Sequence, residues 1–146
     1  MIDFEVDGVF SKDRHRTTKA GHIYTTTKTR NAEALVAAAA VKAMGEGAVP
    51  MEGPLCLTVI AHMPIAKSWS KKRQVMANDG VLLPDKRPDL DNVVKLVSDA
   101  CNGVCYRDDS QLCALNALKI YADRPRTEVR LRLMDGSHDF EIQGGC

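Results

Sequence analysis

The spacing of apolar residues along the chain changes between a period of two, typical of strands, and a period of three to four, typical of helices. Residues 2–10 begin with apolar residues at every second position, separated by acidic ones, which predicts a strand with one buried face. Residues 55–62, 111–121 and 127–134 are rich enough in leucine, valine and isoleucine to predict three more strands. Because only Asp123-Arg124-Pro125 separates the last two strands, we expect them to form an antiparallel pair.

Three segments have the composition and spacing of helices. Residues 27–44 are dominated by alanine and are followed by Gly45, which predicts a helix that ends at this glycine. A second helix with a serine cap is expected over residues 68–77, and a third over residues 89–102, closed by Gly103. The apolar residues of the third helix recur at spacings of three and four and define its buried face: Leu90, Val93, Val94, Val97, Cys101 and Val104.

These elements predict a single compact α+β domain, in which a small mixed or antiparallel sheet packs against about three helices. The length of 146 residues suits one domain, which we place at residues 1–135, followed by a flexible tail at residues 136–146. No apolar run is long enough to span a membrane, and the alternating N-terminus does not resemble a signal peptide. The expected location is therefore the cytoplasm, without a membrane partner.

The five cysteines fit buried, reduced thiols better than disulfides or a zinc site. Their number is odd and no CxxC pair occurs, so the ligand spacing of structural zinc is missing. We therefore expect them to pack as small apolar side chains: Cys56, Cys101, Cys105, Cys113 and Cys146.

Positive charge is concentrated in three clusters, although the net charge of the chain is only +1. The first cluster lies in the polar, threonine-rich residues 11–30, where a loose hairpin is expected and Asp13 is the only acidic residue. Such clusters suit contacts with nucleic-acid phosphates, and solvated surface charge is the alternative. The residues expected to bind DNA are Lys12, Arg14, Arg16, Lys67, Lys71, Lys72, Arg73, Lys86 and Arg87.

Aspartates follow the third basic cluster, Lys86 and Arg87, at the start of the third predicted helix. Asp91, Lys95 and Asp99 are spaced four residues apart and share one helix face, and Asp89 can point towards the same region. Two carboxylates would then converge at the helix N-terminus, with a lysine one turn further along. Two alternatives remain open, in which Asp89 is only an N-cap and Asp91 only pairs with Lys95 on the surface.

A second acidic element, Asp108 and Asp109, directly precedes a predicted strand, where adjacent aspartates are often only part of a turn. Since Gly103 ends the helix, the returning chain can bring one of these carboxylates beside the helix start. Several carboxylates around one point require a cation, and oxygen ligands suit magnesium or manganese. Such a site fits phosphodiester hydrolysis, in which Lys95 can stabilise the transition state. No Walker A or G-x-G-x-x-G motif occurs, so no nucleotide cofactor is expected.

The acidic motifs and the first basic cluster together resemble the RusA family of Holliday-junction resolvases, which is common in bacteria and their prophages. The most specific match is Pro88-Asp89-Leu90-Asp91-Asn92 with Lys95, followed by Asp99-Ala100 and Asp108-Asp109-Ser110-Gln111. Residues 12–25 and 63–72 also agree with segments of the family. The resemblance runs from about residue 8 to residue 133, with two departures at Cys105-Tyr106-Arg107 and at Asp13.

This resemblance implies a homodimeric endonuclease that cuts opposed strands of a four-way DNA junction in recombination and repair. It implies catalytic roles for Asp89, Asp91, Lys95 and Asp109. It further implies a magnesium ion, replaceable by manganese, which is held by Asp89, Asp91, Asp109 and Asp108. Three alternatives remain: an inactive protein that only binds junctions, a nuclease of other branched DNA, and a plain α+β protein with a capped acidic helix.

Overall fold

The computed structural model describes residues 1–135 and contains six strands and three helices in that range. The strands are β1 (Ile2–Asp7), β2 (Arg16–Thr17), β3 (Ile23–Tyr24), β4 (Leu55–Pro64), β5 (Leu112–Ala122) and β6 (Arg126–Leu133). The helices are α1 (Thr27–Met44), α2 (Lys71–Asn78) and α3 (Leu90–Cys101). The predicted tail at residues 136–146 lies outside the described residues.

Four strands form one mixed sheet in the order β1-β6-β4-β5, and β2 pairs with β3 in a separate hairpin. β6 runs antiparallel to both of its neighbours, whereas β4 and β5 are parallel. The predicted antiparallel pairing of the last two strands is therefore wrong, since β4 lies between them. The sequence of β4 explains this position, because it is buried or half-buried at every residue from 55 to 63 and so needs a neighbour on each side.

The helices α1 and α3 pack on each other and cover one face of the sheet, α1 over β1 and α3 over β4 and β5. The apolar face of α3 is buried as predicted and meets the inward-facing residues of the sheet. The centre of this core consists of Leu55, Leu57, Val59, Val93, Leu96, Val97, Val129 and Leu131, all with almost no exposed surface. The prediction of a single compact α+β domain with three helices is thus confirmed.

The helix ends follow from local capping. α1 begins at Thr27, as predicted, because the Thr26 hydroxyl accepts a hydrogen bond from the amide of Thr29. α2 begins later than predicted, since Ser70 caps it by accepting from the amide of Arg73 at 3.2 Å. None of the described helices is long and apolar enough to cross a membrane.

The strand β5 forms one edge of the sheet and is poorly covered. Leu115 and Leu118 project to opposite faces and keep 54% and 47% of their surface exposed. Residues 112–118 carry no charged side chain, and the charged Lys119 donates inward to the carbonyl oxygen of Pro88 at 3.0 Å. Soluble proteins usually protect such an edge with charge or with a covering element. This edge is therefore suited to association with another chain.

Candidate active site

A cleft of about 580 Å³ lies between α3, the turn before β5 and the first basic cluster. Its position follows from the amphipathic character of α3, whose apolar side faces the core and leaves a polar side for the cleft. The turn before β5 contributes one carboxylate, that of Asp109. The cleft is lined by Lys12, Asp13, Arg14, His15, Asn92, Lys95, Ser98, Asp99 and Asp109.

The polar side of α3 presents Lys95 to this cleft without a charged partner. Among the residues that the structure describes, no carboxylate lies within ion-pair distance of the Lys95 ammonium, not even that of Asp91 one turn away. The structure therefore does not contain the surface ion pair between Asp91 and Lys95 that the alternative interpretation expects. An exposed cation that no acid neutralises is available to an anionic ligand.

The carboxylate of Asp89 is likewise not used for capping. Asp89 occupies the N-cap position of α3, but its side chain makes no capping hydrogen bond. Both Asp89 and Asp91 are exposed, and neither lines the cleft. The interpretation of Asp89 as a mere helix cap, which predicts such a hydrogen bond, is not supported.

The predicted convergence of Asp89, Asp91 and Asp109 does not occur within one chain. In residues 1–135, no three histidine, cysteine, aspartate or glutamate side chains lie close enough to hold a metal ion. Asp109 shares the cleft with Asn92 in the first turn of α3 and with Lys95 and Asp99 further along the helix. At a rise of 1.5 Å per residue, Asp89 lies about 15 Å before Asp99 along the helix axis. Within residues 1–135, Asp89, Asp91 and Asp109 therefore do not form one preassembled carboxylate cluster.

The turn that carries Asp109 is held by two residues that the sequence did not single out. Tyr106 is fully buried and its hydroxyl donates to the carbonyl oxygen of Ser98 at 2.7 Å, which ties the turn to α3. Burial raises the pKa of the Tyr106 phenol, so it remains a neutral hydrogen-bond donor. Gln111 accepts from the amide of Arg107 at 2.9 Å and donates to the carbonyl oxygen of Met51 at 3.0 Å. In the sequence, the only indication that Tyr106 and Gln111 hold this turn is their position on either side of Asp108 and Asp109.

Asp108 has a local structural contact instead of a place in the cleft. Its carboxylate accepts hydrogen bonds from the hydroxyl and the amide of Ser110 and caps the short 3₁₀ turn Asp109–Gln111. These hydrogen bonds, the hydroxyl first, lower the pKa of Asp108. Its expected role as a metal ligand remains a prediction, whereas its capping of the turn is observed.

The first basic cluster crosses the cleft as a segment that we call the basic strap, residues 11–17. Lys12 in this strap forms an ion pair with Asp99 and is largely covered, with 20% of its side chain exposed. Arg14 and His15 line the cleft, and they are exposed, as is Arg16 in β2. The structure thus places the arginines of the strap where a phosphate could reach them, but commits Lys12 to a contact within the protein.

A second basic surface lies at the N-terminus of α2. Lys71, Lys72 and Arg73 occupy the first turn of this helix without any acidic residue beside them in that turn. The positive end of the helix dipole adds to their charge, an arrangement that is unfavourable unless an anion binds. The guanidinium of Arg73 lies 4.1 Å from the centre of the Trp69 ring, which holds it in place. Lys67 before the helix is also exposed, and so are Lys86 and Arg87 before α3.

Parts of the chain are similar to known proteins. The family model of the endodeoxyribonuclease RusA matches residues 8–132, a range that includes the basic strap, α3 and the turn of Asp109. The uncharacterized protein YqaN of Bacillus subtilis (strain 168) is 44% identical over 82 residues. That match covers 55% of this chain and 58% of YqaN, so the chain spans little more than half of that relative. The family match covers most of the chain, which therefore belongs to the RusA endodeoxyribonuclease family.

Proposed function

We propose that this protein is an endonuclease that resolves Holliday junctions by hydrolysing one phosphodiester in each of two opposed strands, in DNA recombination and repair. The observation that carries the proposal is the cleft that Lys95, Asp109 and Arg14 line together, in which Lys95 makes no ion pair within residues 1–135. Family membership supports the same class of reaction. An acid and a free cation beside an anion-binding surface are the groups that phosphodiester hydrolysis requires.

Each side chain has a separate role in this proposal. Lys95 offers positive charge to the scissile phosphate as negative charge develops on its oxygens. Asp109 lines the same cleft and is suited to orient water or to accept a proton from it. Arg14 at the cleft and the cations at the start of α2 hold neighbouring phosphates and set the register of the DNA.

The proposal includes a requirement for magnesium, with manganese as a substitute. It is supported by the chemistry of the donors, since the carboxylates of Asp89 and Asp91 are exposed and make no ion pair within residues 1–135. Such carboxylates, together with Asp109, are ligands that hard divalent cations prefer. Because one chain does not assemble them into a complete set, the requirement rests on donor chemistry alone.

The proposal also includes a homodimer. Two symmetrical cuts in a four-way junction call for two active sites related by a two-fold axis. The uncovered edge of β5, with Leu115 and Leu118 exposed, supports association with a second copy. An antiparallel pairing of two such edges is self-complementary, as a two-fold axis demands.

A cleavage assay on defined DNA tests the function. A synthetic four-way junction and a linear duplex of the same sequence are incubated with the protein, with magnesium or with a chelator, and each strand is labelled in turn. We expect paired nicks in two opposed strands of the junction, only with metal, and cleavage slower by on the order of 100-fold with the variant Lys95→Ala. Equal cleavage of the duplex would refute junction specificity. Cleavage of flaps and forks at the same rate as the four-way junction would favour a nuclease of branched DNA in general. Binding of the junction without any cleavage would favour an inactive protein.

A further inference from the structure

The basic strap contains two contacts that charge patterning alone does not explain. Asp13, the one acid among its cations, accepts a hydrogen bond from the hydroxyl of Thr26 at 3.1 Å. The amide of the same residue donates to the hydroxyl of Thr29 at 3.2 Å. Thr26 and Thr29 form the start of α1, so Asp13 fastens the strap to that helix. Asp13 also lines the cleft, but its carboxylate and its amide are both engaged by threonines at the start of α1.

Lys12 fastens the same point of the strap to the other helix. Its ammonium pairs with Asp99, and its backbone amide donates to the carbonyl oxygen of Asn92 at 3.0 Å. Asn92 and Asp99 lie two turns apart on the polar side of α3, so side chain and backbone of Lys12 together span that side. Two adjacent residues thus bind two different helices, and the next two, Arg14 and His15, line the cleft.

We propose that Asp99 and Asp13 are positioning residues, which anchor the basic strap to α3 and α1 so that Arg14 and His15 face the scissile phosphate. This inference rests on the proposed nuclease function for its purpose, but the anchoring itself is measurable without any cleavage. In this inference, Asp99 binds the strap through Lys12 and does not bind a metal ion. Lys12 binds Asp99 and does not bind a DNA phosphate.

The surroundings of Lys12 favour an anchor over a phosphate contact. The Lys12 and Asp99 side chains keep only 20% and 35% of their surface exposed, so the pair is partly shielded from solvent. Burial raises the pKa of Glu33 on α1, and the charge of Lys12 opposes that rise, so Lys12 lies near acids of both helices. A cation already surrounded by acids gains little from a phosphate, whereas an exposed arginine such as Arg14 gains more.

Hydrogen exchange of the strap is the direct test. In the parent protein the amides of Lys12 and Asp13 are both hydrogen bonded, so we expect them to be protected. Asp99→Asn and, independently, Asp13→Asn should accelerate exchange in residues 11–15 by roughly tenfold, because each removes one anchor. Glu46→Gln, an exposed acid after α1, is the matched control and should leave exchange unchanged. Equal protection of the strap in all four proteins would overturn the inference.

A charge exchange and a metal titration separate an anchor from a metal ligand. The double variant with Lys12→Asp and Asp99→Lys reverses the ion pair. It should therefore recover the protection of the strap against hydrogen exchange that each single variant loses. No recovery would overturn the inference. In single-turnover cleavage, Asp99→Asn should weaken junction binding and slow the reaction, while the magnesium concentration for half-maximal rate stays constant. A rise in that concentration, with an unchanged strap, would make Asp99 a metal ligand instead. If the parent cuts no branched DNA but the exchange results hold, the proposed function fails and the anchor stands.

Discussion

Lys95 is the residue at which the proposed nuclease and a plain surface helix differ most. The perturbation is the pair of variants Lys95→Ala and Lys95→Arg, with Lys42→Ala as the control, since Lys42 is an exposed lysine in the last turn of α1. Because Lys95 forms no ion pair within the described residues, its loss should change the free energy of unfolding by no more than about 0.5 kcal/mol. Stability and catalysis are therefore separable at this position.

The expected effect on the rate is much larger. A preorganised cation that meets charge developing in the transition state contributes on the order of 100-fold, which corresponds to about 2.7 kcal/mol. Lys95→Ala should lose this whole contribution. Lys95→Arg keeps the charge but spreads it over a planar group that needs more room, so it should recover only a small part.

Single-turnover cleavage at saturating protein and magnesium measures the chemical step without product release. Urea unfolding and a junction-binding assay on the same preparations show whether the variants are folded and still bind. A rate within about threefold of the parent, only ~0.6 kcal/mol in the barrier, would refute the catalytic role of Lys95. The same loss of rate in Lys42→Ala would show that the effect is one of general charge and not of position.

The remaining predictions concern acids, cations and the supporting turn. Cleavage should be abolished by each of three substitutions, Asp89→Asn, Asp91→Asn and Asp109→Asn. Gel-shift assays should still detect junction binding by these variants. Neutralising both Arg14 and Arg16 should weaken junction binding and lower the slope of log affinity against log salt by roughly one per lost phosphate contact; an unchanged slope would mean that they do not contact DNA. Tyr106→Phe should destabilise the protein by about 1–2 kcal/mol in urea unfolding, because the Ser98 carbonyl loses its buried donor, and should slow cleavage by loosening the turn of Asp109.

Local elements could be predicted because their causes are local. The period of apolar residues and the capping residues identify α1, α3 and β1 with small errors at their ends. The neighbours of β5 and β6 could not be predicted from a short turn between them. β4, which is buried or half-buried along nearly its whole length, takes the central position between them, and this pairing joins segments far apart in the chain.

The candidate site was predictable in composition but not in geometry. The spacing of Asp91, Lys95 and Asp99 correctly placed them along one side of a helix. The position of Asp109 relative to this helix depends on where the returning chain is held by buried Tyr106, whose hydroxyl donates to the carbonyl oxygen of Ser98. The pairing of Lys12 with Asp99 joins residues 87 positions apart, a separation at which sequence spacing carries no information.

The strand order also determines when this domain can fold during synthesis. β1 is made before the other strands of residues 1–135, but within that range its partner in the sheet is β6, the last of these strands. Both neighbours of β4 likewise follow it in the chain. Until β6 has left the ribosome, β1 has no strand beside it, and β4 lacks the neighbour on one side. Synthesis must therefore proceed through β6 before the four-stranded sheet can close, and a nascent fragment that ends before β6 lacks the complete sheet on which α3 packs.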